Sequence, residues 1–307
     1  MILCCGEALI DMLPGTDEGG RTVFAPHVGG AVFNTAVALG RLGAPASFFS
    51  GLSTDFFGEE LKAALETSKV DLRHVRFSDR PTTVAFVKLD GGHASYIFYD
   101  ENSAGRMLTL DDLPDLGPDV SALHFSCISL VPEPCGSTYE ELMRREHQTR
   151  VTMLDPNLRG PFIKDPAGHR ERLKRMIAMA DIVKLSDEDL AWFSEDGTAE
   201  DIAKRWIADG PALVVVTAGA NGAVAYTANN RVEVPAVPVS VADTVGAGDT
   251  FNAGLLAAFH DAGQLTKDRI RSLSTDEVRT ALELAARAAA VTVSRPGANP
   301  PWRYELG

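Results

Sequence analysis

The stretch Asp243-Thr244-Val245-Gly246-Ala247-Gly248-Asp249-Thr250-Phe251-Asn252-Ala253-Gly254 decides how this chain is read. Gly-Ala-Gly makes a turn almost bare of side chains. It runs into an apolar segment in which Phe251, Leu255 and Phe259 recur at helical spacing. A turn feeding a helix N-terminus presents unpaired backbone N–H groups and the positive end of a dipole to an anion. At the junction stands a carboxylate, Asp249. Asp is among the best N-cap residues, and a cap contributes about 1 kcal/mol. Capping alone asks for neither Asp243 upstream nor Asn252 and Gly254 on the helix. The joint pattern points to a general base beside an anion hole, the arrangement that moves a phosphoryl group onto a hydroxyl.

Working outward, short apolar runs alternate with helical patterns. Strands are expected at Ile2–Cys5, Ala46–Ser50, Leu123–Ser126, Thr152–Leu154, Ile182–Leu185 and Leu213–Thr217. They are continuously apolar, as strands buried on both faces should be. Helices are expected at Ala31–Leu42, Gly58–Ser68, Ser137–His147, Arg170–Met179, Thr198–Ala208, Thr250–Ala262 and Thr275–Val293. Gly43 and Gly263 fall where C-caps belong. This alternation implies an α/β fold, a mainly parallel sheet with helices on both faces. Two regions, Ala8–Phe24 and Thr82–Tyr99, read instead as small antiparallel strands. In the second, Asp90-Gly91-Gly92 separates Val84–Leu89 from His93–Tyr99 as a hairpin turn. Together they form either a lid over the main sheet, about residues 8–25 and 82–100, or a pair of edge hairpins. No linker divides the chain, and residues 1–307 are expected to form one domain.

Composition narrows the function. The 307 residues are 45% hydrophobic and 23% charged, ordinary for a globular protein. A net charge of −13 argues against nucleic acid or an anionic membrane as partner. The start, Met1–Gly6, lacks the basic and long apolar regions of a signal peptide, and no apolar run approaches a membrane span. Cys4, Cys5, Cys127 and Cys135 show no metal-ligand spacing and read as reduced thiols of a cytoplasmic protein. The seven histidines are scattered and form no transition-metal motif.

A second glycine turn, Gly29-Gly30-Ala31-Val32-Phe33-Asn34-Thr35-Ala36, is followed by Leu39-Gly40-Arg41-Leu42-Gly43. With the opening dodecamer it resembles the paired signatures of the ribokinase-like, or phosphofructokinase-B, family of sugar kinases. The resemblance covers nearly the whole chain. It implies the ribokinase-like fold, with a small β-lid over an α/β core, and ATP-dependent phosphorylation of a sugar hydroxyl. By the same resemblance Asp249 is the base that takes the hydroxyl proton, and Gly246, Ala247 and Gly248 form the anion hole.

Other residues acquire roles by position. Asp11, within Leu9-Ile10-Asp11-Met12-Leu13, either points to solvent from an edge strand or accepts hydrogen bonds from sugar hydroxyls, as the resemblance implies. Gly29 and Gly30 allow close backbone approach. Asn34 either satisfies helix N–H groups or exchanges hydrogen bonds with the sugar. Asp155-Pro156-Asn157-Leu158-Arg159 resembles the D-x-N-x-R motif of fructokinases and 2-keto-3-deoxygluconate kinases. It brings Asn157 and Arg159 to the substrate, unless Arg159 merely pairs with Asp155. Phe98 lies in a run similar to the lid edge of fructokinases. For the nucleotide, Lys184 and Ser186 match the family's K-x-[NS]-x-x-E segment, and Thr217, Gly219 and Gly222 its T-x-G-x-x-G loop. Asp189 replaces the usual Glu and is expected to reach Mg²⁺ through water. Family members often hold potassium beside the anion hole; the matching positions are Asp243, Val245, Thr292, Arg295 and Gly297, with Pro301 where a hydroxyl ligand is common.

The combined reading is a fructokinase-like enzyme that uses ATP and Mg²⁺, with K⁺ as a further cation, and pairs through its lid as a homodimer. Two rivals remain. One is a 2-keto-3-deoxygluconate kinase, compatible with Arg159 but opposed by repulsion between an acid and the lid-edge carboxylates Asp100 and Glu101. The other is a non-catalytic sugar-binding regulator, which has no need of the base.

Overall fold

A computed structural model describes residues 1–90, 93–193 and 195–307. The main sheet has eight strands in the order β14-β13-β12-β11-β10-β9-β1-β4. They are β1 (Ile2–Cys5), β4 (Ala46–Phe49), β9 (Ala122–Ser126), β10 (Val151–Asp155), β11 (Ile182–Ser186), β12 (Leu213–Thr217), β13 (Ala223–Tyr226) and β14 (Arg231–Val234). The strands from β4 to β12 pair in parallel; β13 and β14 add an antiparallel edge. That edge was not read from the sequence, because Gly222 and the Asn229-Asn230 turn leave runs of only four residues.

Side chains alternate across this sheet. Ile2, Cys4, Met153, Ile182 and Val215 face one hydrophobic layer. It contains α1 (Ala31–Arg41), α2 (Phe56–Thr67), α7 (Ala247–Asp261) and α9 (Thr275–Val293). Leu3, Cys5, Phe125, Leu154 and Val214 face the other. There lie α3 (Cys135–Glu146), α4 (Pro166–Met179), α5 (Asp187–Trp192) and α6 (Ala199–Asp209). A short helix, α8 (Lys267–Ile270), leads into α9. Tyr139, Phe33, Phe48, Phe125 and Phe259 are fully buried, and each such side chain contributes about 1.5–3 kcal/mol of transfer free energy. All four cysteines are buried free thiols. Among the described residues no helix is long and apolar enough to cross a membrane.

Helix α7 packs directly on α9. A methyl group on Gly254 would stand 2.6 Å from the Cα of Ala285, so only glycine permits this approach. Gly263, with φ +65°, closes the turn after α7.

The smaller sheet has the order β3-β2-β7-β8, from β2 (Leu9–Thr16), β3 (Thr22–Gly29), β7 (Val84–Asp90) and β8 (His93–Tyr99). Its two hairpins join through a parallel β2–β7 pairing rather than standing apart, and β3 continues to Gly29, past the expected limit at 25. Gly91 and Gly92 of the expected turn lie outside the described residues. A two-stranded ladder of β5 (Gly51–Ser53) and β6 (Arg76–Ser78) completes the strands.

Candidate active site

A cleft of about 880 Å³ opens where the parallel strands end and the smaller sheet begins. The start of α7 forms its floor. The helix begins at Ala247, three residues earlier than expected, and its N-cap is Gly246 in a left-handed conformation, φ +77°. Asp249 therefore sits inside the first turn and is not the N-cap. The N–H groups of Gly246, Gly248 and Asp249 have no acceptor among the described residues; that of Ala247 turns back to the Thr244 carbonyl at 3.3 Å. Open N–H groups at a helix start are an anion site.

Asp249 is buried. Its Oδ2 accepts a 2.9 Å hydrogen bond from Asn34 Nδ2, and its Oδ1 a long one, 3.5 Å, from Asn157 Nδ2. Burial pushes its carboxyl up to about 7, against the pull of the Asn34 bond and the Arg159 charge. Asn34 thus serves neither its own helix nor solvent: it joins α1 to the carboxylate. Thr35 Oγ1 reinforces the joint by donating to the Asp249 carbonyl at 3.2 Å.

At the end beside the smaller sheet, Asp11 projects from β2 into the cleft and makes no hydrogen bond among the described residues. A methyl group on Gly29 would lie 2.3 Å from Asp11 Oδ2, so Gly29 makes room for that carboxylate and does not itself line the cleft. Burial raises the Asp11 carboxyl to about 6, with Arg159 pulling it back. Gly30 lines the cleft with φ +110°. Phe98 lies against Phe162, ring centroids 4.9 Å apart, and stacks with Tyr96. Phe162 packs with Leu9, Cys127 and Ile128 as well, and sequence reasoning had assigned none of these.

Asp155 is wholly buried. Its Oδ2 accepts from Lys184 Nζ at 3.0 Å and Asn252 Nδ2 at 2.7 Å. Arg159 does not pair with it. Instead Arg159 Nη1 donates to Asn157 Oδ1 at 2.7 Å and to the Leu158 carbonyl at 3.1 Å. Asn157, at φ +40°, links this guanidinium to Asp249. The Lys184 ammonium stands beside the glycine turn, 3.1 Å from where a Gly248 methyl would be. Ser186 caps α5, accepting from Asp189 N. Both Asp189 oxygens in turn accept main-chain bonds, from Leu158 N at 3.0 Å and Ser186 N at 3.4 Å.

Thr217 ends β12, and Gly219 and Gly222 follow it in the next turn along the same cleft. Beyond them lies a slot that sequence reasoning missed. Ala236, Val237, Pro238, Val239 and Val241 form one wall; Ala286, Ala289, Ala290 and Val293 of α9 form the other. The available signal was a run of small apolar residues on one helix face opposite a proline-broken apolar segment. Asp243 lies behind the turn: its Oδ1 accepts from Val245 N at 3.0 Å and its Oδ2 from Gly297 N at 2.9 Å, drawing two loops together. Thr292 Oγ1 bonds Thr250 Oγ1, and the Arg295 side chain pairs with Glu305. Asp243, Thr292, Arg295 and Gly297 do not line the cleft. Asp100 is paired with Arg106 at 3.2 Å, and neither it nor Glu101 lines the cleft. The expected repulsion of an acid by these two therefore has no direct basis; the carboxylates that line the cleft are those of Glu7, Asp11, Glu188, Asp189 and Asp249.

A site with a buried carboxylate, an open helix start and an adjacent ammonium is the equipment of a phosphotransferase. The profile of the pfkB family carbohydrate kinases matches residues 1–303, and the chain belongs to that family. It is 55% identical over 279 residues to a fructokinase of Rhizobium leguminosarum bv. trifolii, covering 91% of this chain and 86% of that one. Its fold is similar to that of the ATP-bound fructokinase of Xylella fastidiosa, with TM-score 0.91, 29% identity and coverage of 99% and 97%. A double mutant of the Vibrio cholerae O395 fructokinase, bound to fructose, ADP and a potassium ion, gives TM-score 0.84, 29% identity and coverage of 97% and 93%.

Proposed function

We propose that this protein transfers the γ-phosphoryl group of ATP to the primary hydroxyl of D-fructose, giving fructose 6-phosphate and ADP. The observation that carries the reading is Asp249: a buried carboxylate, held by Asn34, in the first turn of a helix whose N–H groups are open. The similarity to fructokinases names the sugar.

The sugar lies between Asp11, Asn34, Arg159 and the Phe98 ring, with Gly30 allowing backbone contact. The apolar slot takes the nucleobase, and the Thr217–Gly222 loop runs beside the ribose and phosphates. Asp249 receives the hydroxyl proton as the O–P bond forms, and the bond from γ-phosphorus to the bridging oxygen breaks with its electron pair leaving on ADP. The N–H groups of Gly246 and Gly248 and the Lys184 ammonium face the charge that spreads over the phosphoryl oxygens. Each well-aimed donor of this kind contributes about 10²–10³-fold. Ala247 shapes the turn.

A divalent ion would bind chiefly through the nucleotide's phosphate oxygens. Magnesium would neutralise phosphate charge when bound, with Asp189, which retains free lone pairs, holding one of its waters. Asp243, already bridging Val245 and Gly297, and the carbonyls of Val245, Thr292, Arg295 and Gly297 are the oxygens that would hold potassium, which would add positive charge behind the anion hole. The enzyme works in the cytoplasm, where ATP and reduced thiols coexist.

A coupled ADP-release assay over fructose, ribose, nucleosides and 2-keto-3-deoxygluconate tests the substrate. Fructose is expected to give the highest kcat/KM. A higher value for the sugar acid would transfer the assignment to that substrate, and sugar binding without turnover would mark a regulator.

The smaller sheet presents Asp11 and Phe98 to the cleft and therefore turns Phe24, Phe86, Ile97 and Tyr99 to its other face. Phe24, Ile97 and Tyr99 are exposed together on that face, apolar surface of the kind that marks an interface. Two copies pair through it. Light scattering should return twice the chain mass, and Phe24→Ser with Ile97→Ser should return a monomer. A monomeric wild type at micromolar concentration would count against the pairing.

A further inference from the structure

Helix α1 has no side-chain cap of its own, because its N-cap is Gly30. Its first three N–H groups are nonetheless all occupied, and by one residue. Ala31 N and Val32 N donate to Glu7 Oε1 at 2.8 and 3.4 Å, and Phe33 N donates to the Glu7 carbonyl at 3.2 Å. The other carboxylate oxygen, Oε2, accepts from Ser129 N at 3.4 Å. Glu7 is buried, touches the cleft and lies in the link between β1 and β2, far from α1 in sequence. The space around it is tight. A methyl group on Gly30 would stand 2.9 Å from the Glu7 carbonyl, and one on Gly6 would meet Val32 at 2.4 Å.

The two glycine turns of the chain therefore end differently. The one at α7 leaves its N–H groups open; the one at α1 is filled by the protein's own carboxylate. What α1 does carry, one turn on, is Asn34 and Thr35, and both bond to Asp249. Three elements thus converge on Glu7: α1, the turn at Ser129, and the strand link that continues into Asp11.

We infer that Glu7 is a positioning residue for the sugar side of the site, a carboxylate cap delivered from outside the helix that sets the first turn of α1 and, through Asn34, the orientation of the Asp249 carboxylate. The inference rests on the kinase reading above. The N–H groups of Ala31, Val32 and Ser129 donate to its carboxylate and favour the ionised form, against the burial that raises the Glu7 carboxyl above its ordinary value. Among the described residues Glu7 bonds only to α1 and Ser129, away from Lys184 and the Thr217–Gly222 loop, so on the kinase reading its loss falls on one substrate.

The test compares wild type, Glu7→Ala and Glu7→Gln, using whichever sugar of the panel the wild type turns over fastest. A wild type inactive on every sugar would count against the kinase reading; the pattern among the variants judges Glu7. Glu7→Ala is expected to lower kcat by about 10²-fold, the scale of a small misplacement of reacting groups, and to weaken sugar binding by calorimetry while the KM for ATP holds. Removing the side chain uncovers the N–H groups of Ala31, Val32 and Ser129. Formate should therefore restore part of the lost kcat in this variant, and chloride at equal ionic strength should not. Glu7→Gln keeps an acceptor for α1 but sets an amide N–H against Ser129 N, so it should show the same one-sided loss in milder form with an unchanged circular dichroism spectrum. It decides the matter if Glu7→Ala does not fold. Wild-type kinetics in either folded variant, equal damage to both substrates, or a folded and impaired Glu7→Ala that ignores formate would overturn the inference.

Discussion

Asp249→Asn is expected to yield a folded protein whose kcat is lower by about 10²–10⁴-fold. The amide is nearly isosteric and can still accept from Asn34, so the joint between α1 and α7 survives. What it lacks is basicity. The wild-type carboxyl, pushed up to about 7 by burial, must be ionised to take the hydroxyl proton, so activity should rise with pH through that value and then level. Stability should show the opposite sign. Between its ordinary 3.8 and about 7, the folded protein keeps a proton on this group that the unfolded chain has released. Wild type therefore loses stability as pH climbs through that window. The variant has no such group, so it should gain on wild type across the same range. Steady-state turnover beside urea midpoints at pH 4, 5.5 and 7.5 reads both effects. Near-normal kcat would remove Asp249 from the chemistry.

The largest effect on stability belongs to Lys184→Met. Lys184 and Asp155 are paired at 3.0 Å with side chains 5% and 0% exposed. Taking away the ammonium leaves a carboxylate buried among strands with, among the described residues, Asn252 as its one remaining hydrogen-bond partner, at a cost of about 3–5 kcal/mol. Adding Asp155→Asn removes the stranded charge and should recover most of the loss. Activity should not return with it. The ammonium also stands beside Gly248, so both the single and the double variant should need more ATP to reach half-saturation. Denaturant midpoints separate the two roles from nucleotide KM values. A single variant as stable as wild type would mean that the pair is dispensable to the fold.

Much of this arrangement was legible in the chain because local pattern and global structure agree. Ile2–Cys5, Leu213–Thr217 and Thr275–Val293 fall where the apolar runs and caps place them. Asp249, its glycine turn and the residues read for the sugar side, Asp11, Gly30, Asn34 and Arg159, share one cleft. Other features were hidden for physical reasons. A helix may begin before its apolar stripe does, as α7 begins at Ala247, since open glycine and alanine carry no periodicity. A long-range pair gives no sequence signal, so Lys184 was read for the nucleotide and not as the partner of Asp155. Apolar residues such as Val237 and Ala289 were invisible as a slot because, one at a time, they look like any core residue.

Gly254 shows how far from the chemistry its accuracy is determined. It lies five residues along the same helix from Asp249 and touches Ala285 where even a methyl group would not fit. An α-helix is stiff over so short a span, so any shim inserted at that contact would be transmitted along the rod to the carboxylate. A shift near 1 Å at reacting atoms costs about 10²-fold. The bare face of one glycine against α9 thus sets the seat of the helix that carries Asp249, and it gives residue 254 of the opening motif a part of its own beside Asp249 and Asn252.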